Sequence, residues 1–276
     1  MRIFLPAPLH AALTRHRRIR FTGPYLDWSD ARAASTGYDA PAILARMTAA
    51  ARAVAAGRAA YEHDTVLFST PAADPLLLAE LAALVPLRPT GLRVLDFGGA
   101  LGSTWFQHRT FFGSFPPVDW HIVEQPDIAA RGRADFTLPG LTFHDSLDSA
   151  LAIGPPDLVL LSSVLHYLPA PWPLLERIAA LPAQAWLLPR TPFSVTLRAD
   201  AAVVQHVPPV IYRASYPAWI FPVSSFAAFA ATHRFSLAWH PCTDGNFDLP
   251  GLSFDFRTAV FRPLAGKSAS PRPITP

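Results

Sequence analysis

The chain has 276 residues, of which 51% are hydrophobic and 16% are charged, against about 25% charged in an average soluble domain. This composition excludes disorder of the whole chain, and the length fits one large α/β domain or two small ones. The 30 prolines follow no repeat, which excludes collagen and polyproline rods, and prolines this frequent do not allow long helices. Five arginines in the first 20 residues account for the net charge of +3, since the remainder has 18 basic and 20 acidic side chains. Nucleic acid is therefore not an expected partner.

No export signal, membrane span or metal site is predicted. Met1–Leu13 contains a short apolar run, but no small-residue cleavage site follows it. The uncharged stretch Ala214–Thr232 is interrupted by Pro217 and Pro222, whereas a span needs roughly 20 predominantly apolar residues. Cys242 is the single cysteine, so an intrachain disulfide and a multi-cysteine zinc site are excluded. We expect a cytoplasmic protein with a small-molecule substrate and no nucleic-acid or membrane partner. The oligomeric state is left open, a homodimer included.

The first 88 residues are predicted to form a basic arm, residues 1–20, and a helical cap or lid, residues 21–88. One helix is predicted over Tyr38–Arg58, with Asp39 as its N-cap, because small apolar residues recur there at helical spacing. A second helix is predicted over Asp74–Val85, where a proline stops it.

From Leu92 onward, short apolar runs alternate with helical segments, a pattern typical of βαβ units around a parallel sheet. The predicted strands are Arg93–Phe97, Val118–Glu124, Leu141–His144, Asp157–Ser162, Ala185–Leu188, Phe235–His240 and Phe254–Phe261. The predicted helices are Gly102–Phe112, Asp127–Arg133, Ser146–Ala152, Trp172–Leu181 and Val223–Thr232. Thr243–Phe247 would join the last two strands as a hairpin. Residues 89–263 form the predicted Rossmann-like domain, with a Pro-rich and aromatic insertion at residues 190–222, and residues 264–276 are predicted to be a disordered tail.

The strongest local signal is the turn Val94-Leu-Asp-Phe-Gly-Gly-Ala-Leu-Gly-Ser103. A strand ends at Asp96, and three glycines lead the chain into a helix at a place where a Cβ would block positive φ and the close approach of a ligand. Glu124 lies 22 residues beyond Gly102 at the end of the next strand, a spacing at which a carboxylate binds ribose hydroxyls. The pattern predicts a nucleotide site, with a structural turn and a solvated Glu124 as the alternative.

The acid at the start of this turn favours S-adenosylmethionine (SAM) over a dinucleotide. A carboxylate would repel a pyrophosphate, whereas SAM has no phosphate and has an ammonium and a sulfonium. Asp96 stands where the amino-acid part of SAM would lie. The sequence contains no GxxxxGK[ST] motif, so a P-loop kinase is not supported.

The pattern Asp96-x-Gly98-x-x-x-Gly102 resembles the first motif of class I SAM-dependent methyltransferases. From about Phe21 to Phe261, further stretches resemble one family of methyltransferases found near polysaccharide and secondary-metabolite genes. These stretches are Leu95–Ser103, Leu161–Leu168, Arg190–Phe193, Val207–Pro217, Gly37–Tyr38 and Tyr61–Asp64. The resemblance implies a Rossmann-like fold with a mostly parallel seven-stranded sheet, an antiparallel last strand and an N-terminal helical lid.

The resemblance also implies which residues contact SAM. They are Asp96, Gly98, Gly99 and Gly102 at the methionine part, Glu124 at the ribose and Asp145 at the adenine. Ser162 and Ser163, which come at the end of the fourth predicted strand at the carboxyl edge of the sheet, and Gln125 are expected as further cofactor contacts. Two positions depart from the family pattern. Ala100 replaces the middle glycine of the motif, which adds one methyl group, and Pro189 replaces an aspartate, so any polar role of that carboxylate is lost.

Three residues are candidates for catalysis at the carboxyl edge of the sheet, where open α/β sheets place their ligands. His166 is a candidate general base, with a surface or packing role as the alternative. Tyr167 could face a sulfonium by a cation–π contact and orient a nucleophile, or be a core tyrosine. Ser194 lies after the next strand, as does Arg190, which either binds an acidic acceptor or pairs with a carboxylate.

Aromatic residues are predicted to enclose the same site. Tyr212, Tyr216, Trp219 and Phe221 would form one wall, and Tyr25, Trp28, Tyr38 and Tyr61 would belong to the lid. Such a lid would exclude water, which matters because the charge of a sulfonium is dispersed during methyl transfer.

Three functions remain open at this point. The leading one is transfer of a methyl group from SAM to an oxygen or nitrogen of a small molecule, in secondary-metabolite or polysaccharide biosynthesis. The second is a SAM-consuming lyase, in which the α-amine of SAM attacks its own γ-carbon and yields azetidine-2-carboxylate and methylthioadenosine; Tyr167 and Ser194 would contact that amine. The third is a SAM-binding protein without catalysis.

Overall fold

The computed structural model describes residues 19–37, 40–208 and 214–265. The strands of these residues are β1 (Arg20–Tyr25), β2 (Tyr61–His63), β3 (Val66–Phe68), β4 (Leu92–Phe97), β5 (Val118–Val123), β6 (Leu141–His144), β7 (Leu158–Leu160), β8 (Ala185–Ser194), β9 (Ala201–His206), β10 (Ser215–Pro222), β11 (Phe235–Leu249) and β12 (Leu252–Pro263). The α-helices are α1 (Trp28–Ala33), α2 (Ala40–Ala55), α3 (Pro75–Leu84), α4 (Ser103–His108), α5 (Pro126–Asp135), α6 (Leu147–Leu151), α7 (Pro171–Ala179) and α8 (Val223–Thr232).

Seven strands form one mostly parallel sheet in the order β6-β5-β4-β7-β8-β12-β11. The strands β4, β5, β6, β7 and β8 are paired in parallel, while β12 is antiparallel to both β8 and β11. Short runs of buried apolar residues form the central strands, as expected for a parallel sheet covered on both faces. This arrangement confirms the predicted Rossmann-like class I methyltransferase fold and its antiparallel last strand.

Three further strands extend the sheet from the end of β8. Phe193 pairs in parallel with Phe221 and Ser194 with Pro222, so β10 begins a branch in which β9 pairs with β10 and β1 pairs with β9, both antiparallel. The predicted insertion, residues 190–222, therefore contains two strands that the sequence interpretation missed. The predicted helical cap, residues 21–88, contains β1, β2 and β3 besides three helices.

Several predicted boundaries need correction. The helix expected over Gly102–Phe112 is α4 followed by a 3₁₀ segment from Arg109 to Ser114. The last hairpin turns at Pro250 and Gly251 rather than at Thr243–Phe247, because β11 continues past an irregular stretch up to Leu249.

Some predictions lie outside the described residues. Residues 1–18 of the arm, Tyr38, Asp39, Tyr212 and residues 266–276 belong to this group. The division into an arm, a cap, a domain and a tail stays a prediction. Among the helices described, none combines the length and the apolar character that a bilayer crossing requires.

The apolar core covers both faces of the sheet. On one face Trp120 and Phe106 pack with Leu77 and other buried residues, and on the opposite face Trp186 and Phe226 lie in a second cluster. Burial of each such side chain stabilises the fold by about 1.5–3 kcal/mol. The sheet is therefore a rigid support for the loops that follow its parallel strands.

Candidate functional site

A cavity of about 1750 Å³ lies at the edge of the sheet where the five parallel strands end. The loops after these strands form one side of it, which we call the nucleotide half. The nucleotide half includes Phe97, Gly98, Gly99, Ala100, Leu101, Ser103, Thr104, Glu124, Gln125, Asp145, Ser146, Ser162, Ser163 and Arg177, together with Glu62 of β2. The other side, the acceptor half, includes Trp28, Arg32, Asp64, Tyr167, Arg190, Gln205, Tyr216, Asn246, Phe247 and Phe256.

The glycine turn after β4 has no room for side chains. A Cβ on Gly98 would lie 2.4 Å from Cγ2 of Val164, and the φ of Gly98 is +76°. A Cβ on Gly99 would lie 2.5 Å from Oδ2 of Asp96. The turn thus presents bare backbone to the cavity, as required where a ligand approaches closely.

Asp96 supports this turn from below. It is fully buried, and Nε1 of Trp120 donates a hydrogen bond of 2.9 Å to its Oδ2, while its Oδ1 has no hydrogen-bond partner among the described residues. Burial raises the pKa of Asp96 to about 7, and the charge of Glu124 adds to this increase, while the bond from Trp120 opposes it. Asp96 therefore lies close beneath Gly99 of the turn and does not line the cavity.

Glu124 follows β5 and is fixed by two backbone groups. Its Oε1 accepts a hydrogen bond of 3.2 Å from the N–H of Ala100, and its Oε2 accepts one of 2.8 Å from the N–H of Gln125. Burial raises the pKa of Glu124, and the two N–H groups act in the opposite direction. An anchored carboxylate beside the glycine turn is the arrangement that binds ribose hydroxyls.

Glu62 is a second carboxylate in the nucleotide half, and the sequence interpretation did not assign it to the site. The hairpin of β2 and β3 places it against the start of α4, where the hydroxyl of Ser103 donates to Oε1 and the N–H of Thr65 donates to Oε2 at 2.9 Å. Glu62 is 6% exposed, and this burial raises its pKa while the two hydrogen bonds oppose the shift. The only sequence signal was the polar stretch Tyr61–Asp64, whose pairing into a hairpin could not be seen from so short a segment.

Tyr167 and Gln205 form a pair in the acceptor half. The hydroxyl of Tyr167 donates a hydrogen bond of 2.9 Å to Oε1 of Gln205, and the ring of Tyr167 lies edge-on to that of Tyr216 at 6.0 Å. Because the proton of Tyr167 is directed to Gln205, the lone pairs of the Tyr167 oxygen can accept a hydrogen bond from another group. This pair brings together a residue of the loop after β7 and a residue of β9.

Strained backbone is concentrated at the cavity. Six non-glycine residues of the described chain have positive φ, and all of them except Arg234 line the cavity. The five lining residues are Asp64, Thr65, Ala100, Ser163 and Arg190. Since each such conformation costs about 1–3 kcal/mol and such residues cluster at functional sites, this grouping supports assigning function to the cavity.

The comparisons with known proteins identify no family. No protein-family model matches the chain, and no curated protein matches it. Among solved structures, the chain is similar to the N-terminal domain of EvdMO1 with SAH bound, at 17% identity and a TM-score of 0.49, over 82% of this chain and 98% of that one. It is similar to 1,6-didemethyltoxoflavin-N1-methyltransferase of Burkholderia thailandensis, at 17% identity and a TM-score of 0.40, over 83% and 92%. It is also similar to the glycopeptide N-methyltransferase MtfA complexed with sinefungin, at 13% identity and a TM-score of 0.43, over 71% and 100%.

With likenesses this distant, an inference of function rests on the cavity. The structure brings eight of the expected site residues to it: Gly98, Gly99, Glu124, Gln125, Asp145, Ser162, Ser163 and Tyr167. Asp145 is exposed and forms an ion pair of 3.5 Å with Arg133. The narrower motif family suggested by the sequence stays a prediction.

Four expected site residues do not line the cavity: Asp96, Gly102, His166 and Ser194. Asp96 lies beneath the turn, and Gly102 is the N-cap position of α4. His166 is fully buried, and in the described part of the chain neither ring nitrogen has a hydrogen-bond partner. Burial, together with the nearby charge of Arg190, lowers its pKa to about 3. Ser194 is buried and its hydroxyl lies 3.0 Å from that of Thr196. His166 is therefore placed as a neutral packing residue rather than as a base.

The expected aromatic enclosure is present only in part. Tyr216 and Trp28 line the cavity, whereas Trp219 stacks behind Trp28 at 5.2 Å and Phe221 is fully buried in the core. Tyr61 stacks on Phe68 outside the lining. The sequence did not indicate Phe247 and Phe256, which reach the cavity from the last hairpin.

Proposed function

We propose that this protein binds SAM in the nucleotide half of the cavity and transfers its methyl group to an oxygen or nitrogen of a small molecule held in the acceptor half. One observation carries the proposal: the bare glycine turn and the backbone-anchored Glu124 face the same cavity, at the carboxyl edge of a parallel sheet. We place the substrate in secondary metabolism or polysaccharide biosynthesis on the sequence resemblance alone.

The side chains present fit SAM better than a dinucleotide. In dinucleotide sites the pyrophosphate lies at the N-terminus of the helix that follows the glycine turn. Here the carboxylate of Glu62 occupies that position by accepting a hydrogen bond from Ser103, the first residue of α4. A carboxylate at this point repels phosphate and attracts an ammonium. The cradle therefore fits a phosphate-free nucleoside with a positively charged chain.

Different residues of the nucleotide half would contact different parts of SAM. Glu124 would hold the ribose hydroxyls, with Gln125 and Asp145 towards the base. Gly98 and Gly99 would lie against the amino-acid chain, and Ser162 and Ser163 would complete this wall. We assign the attraction of the SAM ammonium to Glu62, whereas the sequence suggested Asp96 for the amino-acid part of SAM.

In the acceptor half, we assign the orientation of the nucleophile to the pair of Tyr167 and Gln205. Bound SAM supplies an electrophilic methyl group, which the nucleophile takes as it loses a proton. The oxygen of Tyr167 can accept a hydrogen bond from the attacking O–H or N–H, because the hydroxyl of Tyr167 already donates its own hydrogen bond to Gln205. His166 and Ser194, the other catalytic candidates, do not line the cavity and are not part of this assignment.

The size of the cavity favours methyl transfer over SAM cyclisation. Ligand sites usually enclose about 300–1,000 Å³, and this cavity of about 1750 Å³ leaves room for a second substrate. A cyclase needs no second substrate and would gain from a closely fitted cage.

The products formed from SAM test the proposal. The purified protein is incubated with SAM alone and with SAM plus a library of small hydroxyl and amine compounds, and the products are separated by mass spectrometry. We expect SAM to stay intact alone and to yield SAH and a methylated compound with an acceptor. Methylthioadenosine and azetidine-2-carboxylate formed from SAM alone would establish cyclisation instead, and bound SAM without any turnover would favour a non-catalytic role.

A further inference from the structure

We propose that Gln205 determines which small molecules are methylated, because its side-chain N–H groups bind a carbonyl oxygen or an aromatic ring nitrogen of the substrate. This inference rests on the proposed function and names the class of substrate that the acceptor half selects. The substrate is a largely apolar molecule with a hydrogen-bond acceptor that has no proton of its own.

Gln205 is a polar residue with apolar neighbours. It belongs to β9, is 5% exposed, and pairs with Phe21 of β1 on one side and with Tyr216 of β10 on the other. Side chains that are paired across antiparallel strands lie on the same face of the sheet. Val203, two residues earlier on that face, is fully buried in one apolar cluster with Phe21. An apolar side chain would suit this position at least as well, so the stability of the sheet does not explain the amide.

The amide of Gln205 is held in one orientation. The hydroxyl of Tyr167 donates a hydrogen bond of 2.9 Å to its Oε1, so Nε2 forms the other branch of the amide. Nε2 has two N–H groups, and they bond to none of the described residues. Nε2 nevertheless keeps accessible surface, and Gln205 lines the cavity. A nearly buried side chain therefore presents hydrogen-bond donors to the acceptor half.

These donors select for one kind of atom in the substrate. Water can bond to an amide N–H in an open cavity, whereas a bound hydrocarbon displaces that water and leaves the donor unpaired, which weakens binding. A substrate hydroxyl would bring a proton that needs an acceptor of its own, and the side chains of Phe21 and Val203 have none. A carbonyl oxygen or an aromatic ring nitrogen pairs with the amide and needs no second partner.

Aromatic rings near Gln205 suit the remainder of such a molecule. The rings of Tyr167 and Tyr216 lie edge-on to each other at 6.0 Å, and both residues line the cavity. Phe247 and Phe256 of the last hairpin also line it, with their rings edge-on at 5.8 Å. Since aromatic rings pack well against the faces and edges of other rings, we expect the carbonyl or ring nitrogen to belong to a planar conjugated group.

Matched pairs of neutral probes test this inference in protein saturated with SAH. Acetophenone is compared with α-methylstyrene, in which C=CH₂ replaces C=O, and pyridine is compared with benzene, in which C–H replaces the ring nitrogen. Ligand-observed NMR titrations give the affinity ratio of each pair for the wild type and for Gln205→Met, which has a similar shape and no donor. In at least one pair the ratio should fall by about tenfold in the variant, since a hydrogen bond to a nearly buried donor is lost. A fall in the first pair indicates a carbonyl substrate, and a fall in the second indicates a ring nitrogen.

Gln184→Met is the matched control, because Nε2 of Gln184 donates to the carbonyl of Pro182 and Gln184 does not line the cavity. Its affinity ratios should equal those of the wild type. Gln205→Leu is measured in the same way, so that the result does not depend on the folding of one variant. Unchanged ratios in the Gln205 variants, or no binding of acetophenone and pyridine to the wild type, would overturn the inference while SAH binding stands. Failure of SAH to bind the wild type in a separate titration would overturn the proposed function itself.

Discussion

Asp96→Asn should change how the stability of the protein depends on pH. The carboxyl group of Asp96 is fully buried beneath the glycine turn, and the only hydrogen bond it accepts in the described structure comes from Trp120. Asparagine has nearly the same shape, its side-chain oxygen can accept the same bond, and it has no charge to bury. The substitution therefore isolates the effect of ionising a carboxyl group at this place.

The sign and size of the effect follow from the raised pKa of Asp96, about 7 in the folded protein against 3.8 for an ordinary aspartate. Because the folded state holds this proton more tightly, the contribution of the protonated carboxyl to stability is complete below about pH 3.8. It is lost as the pH rises from there through about 7. At 1.36 kcal/mol per pKa unit, the full effect is about 4 kcal/mol, of which roughly 2–3 kcal/mol is lost between about pH 5 and about pH 8.

Urea unfolding of the wild type and of Asp96→Asn at about pH 5 and about pH 8 measures this difference. The free energy of unfolding of the variant minus that of the wild type should be roughly 2–3 kcal/mol larger at about pH 8 than at about pH 5. Other titrating groups cancel in this comparison because both proteins contain them. A difference between the two proteins that does not change with pH would refute the reasoning.

Three further substitutions test the turn and its neighbours. Ala100→Gly should stabilise the protein by about 0.5–1 kcal/mol in a thermal or urea unfolding experiment, because relief of the positive φ of +52° exceeds the added entropy of the unfolded chain. Ala49→Gly, at an exposed position inside α2, is the control. In the same experiment it should destabilise the protein by about 1 kcal/mol. Gly98→Ala should destabilise the protein by about 2–5 kcal/mol and weaken SAH binding. A second substitution in the same chain, Val164→Ala, should recover part of the lost stability, because it removes two Cγ atoms near the new Cβ. No recovery would show that the collision with Val164 is not the cause. His166→Phe should leave the pH dependence of kcat/KM unchanged, since His166 is neutral and buried; loss of a limb near the ordinary histidine pKa of about 6.5 would contradict this.

The parallel sheet and the glycine turn could be predicted because their signals are local. Apolar runs alternating with helical segments fix the order of strands and helices, and the spacing from Gly102 to Glu124 places a carboxylate on the neighbouring strand. Parallel strands all end at one edge, so Ser162 and Ser163 could be assigned to the same site from the sequence, while Asp145 was assigned by the family resemblance.

The acceptor half could not be predicted because it depends on pairing between distant segments. β1 reaches β9 across most of the chain, and β2 and β3 have three residues each, which is too short for a period to appear. The positions of Glu62 and Gln205 follow from these pairings. Burial could not be predicted for two of the expected residues that do not line the cavity: His166 follows β7 and Ser194 ends β8, but both side chains are buried in packed surroundings.

Calorimetric titration with SAH is the most direct test of the central claim, that the glycine turn and Glu124 form a SAM site. We expect one molecule of SAH to bind per chain, and Glu124→Ala to weaken binding about tenfold to a hundredfold, since it removes a charged hydrogen-bond acceptor. Glu176→Ala, which removes an exposed glutamate that pairs with His233 away from the cavity, should bind as the wild type does. No heat of binding with the wild type, or equal affinity in Glu124→Ala, would contradict the account.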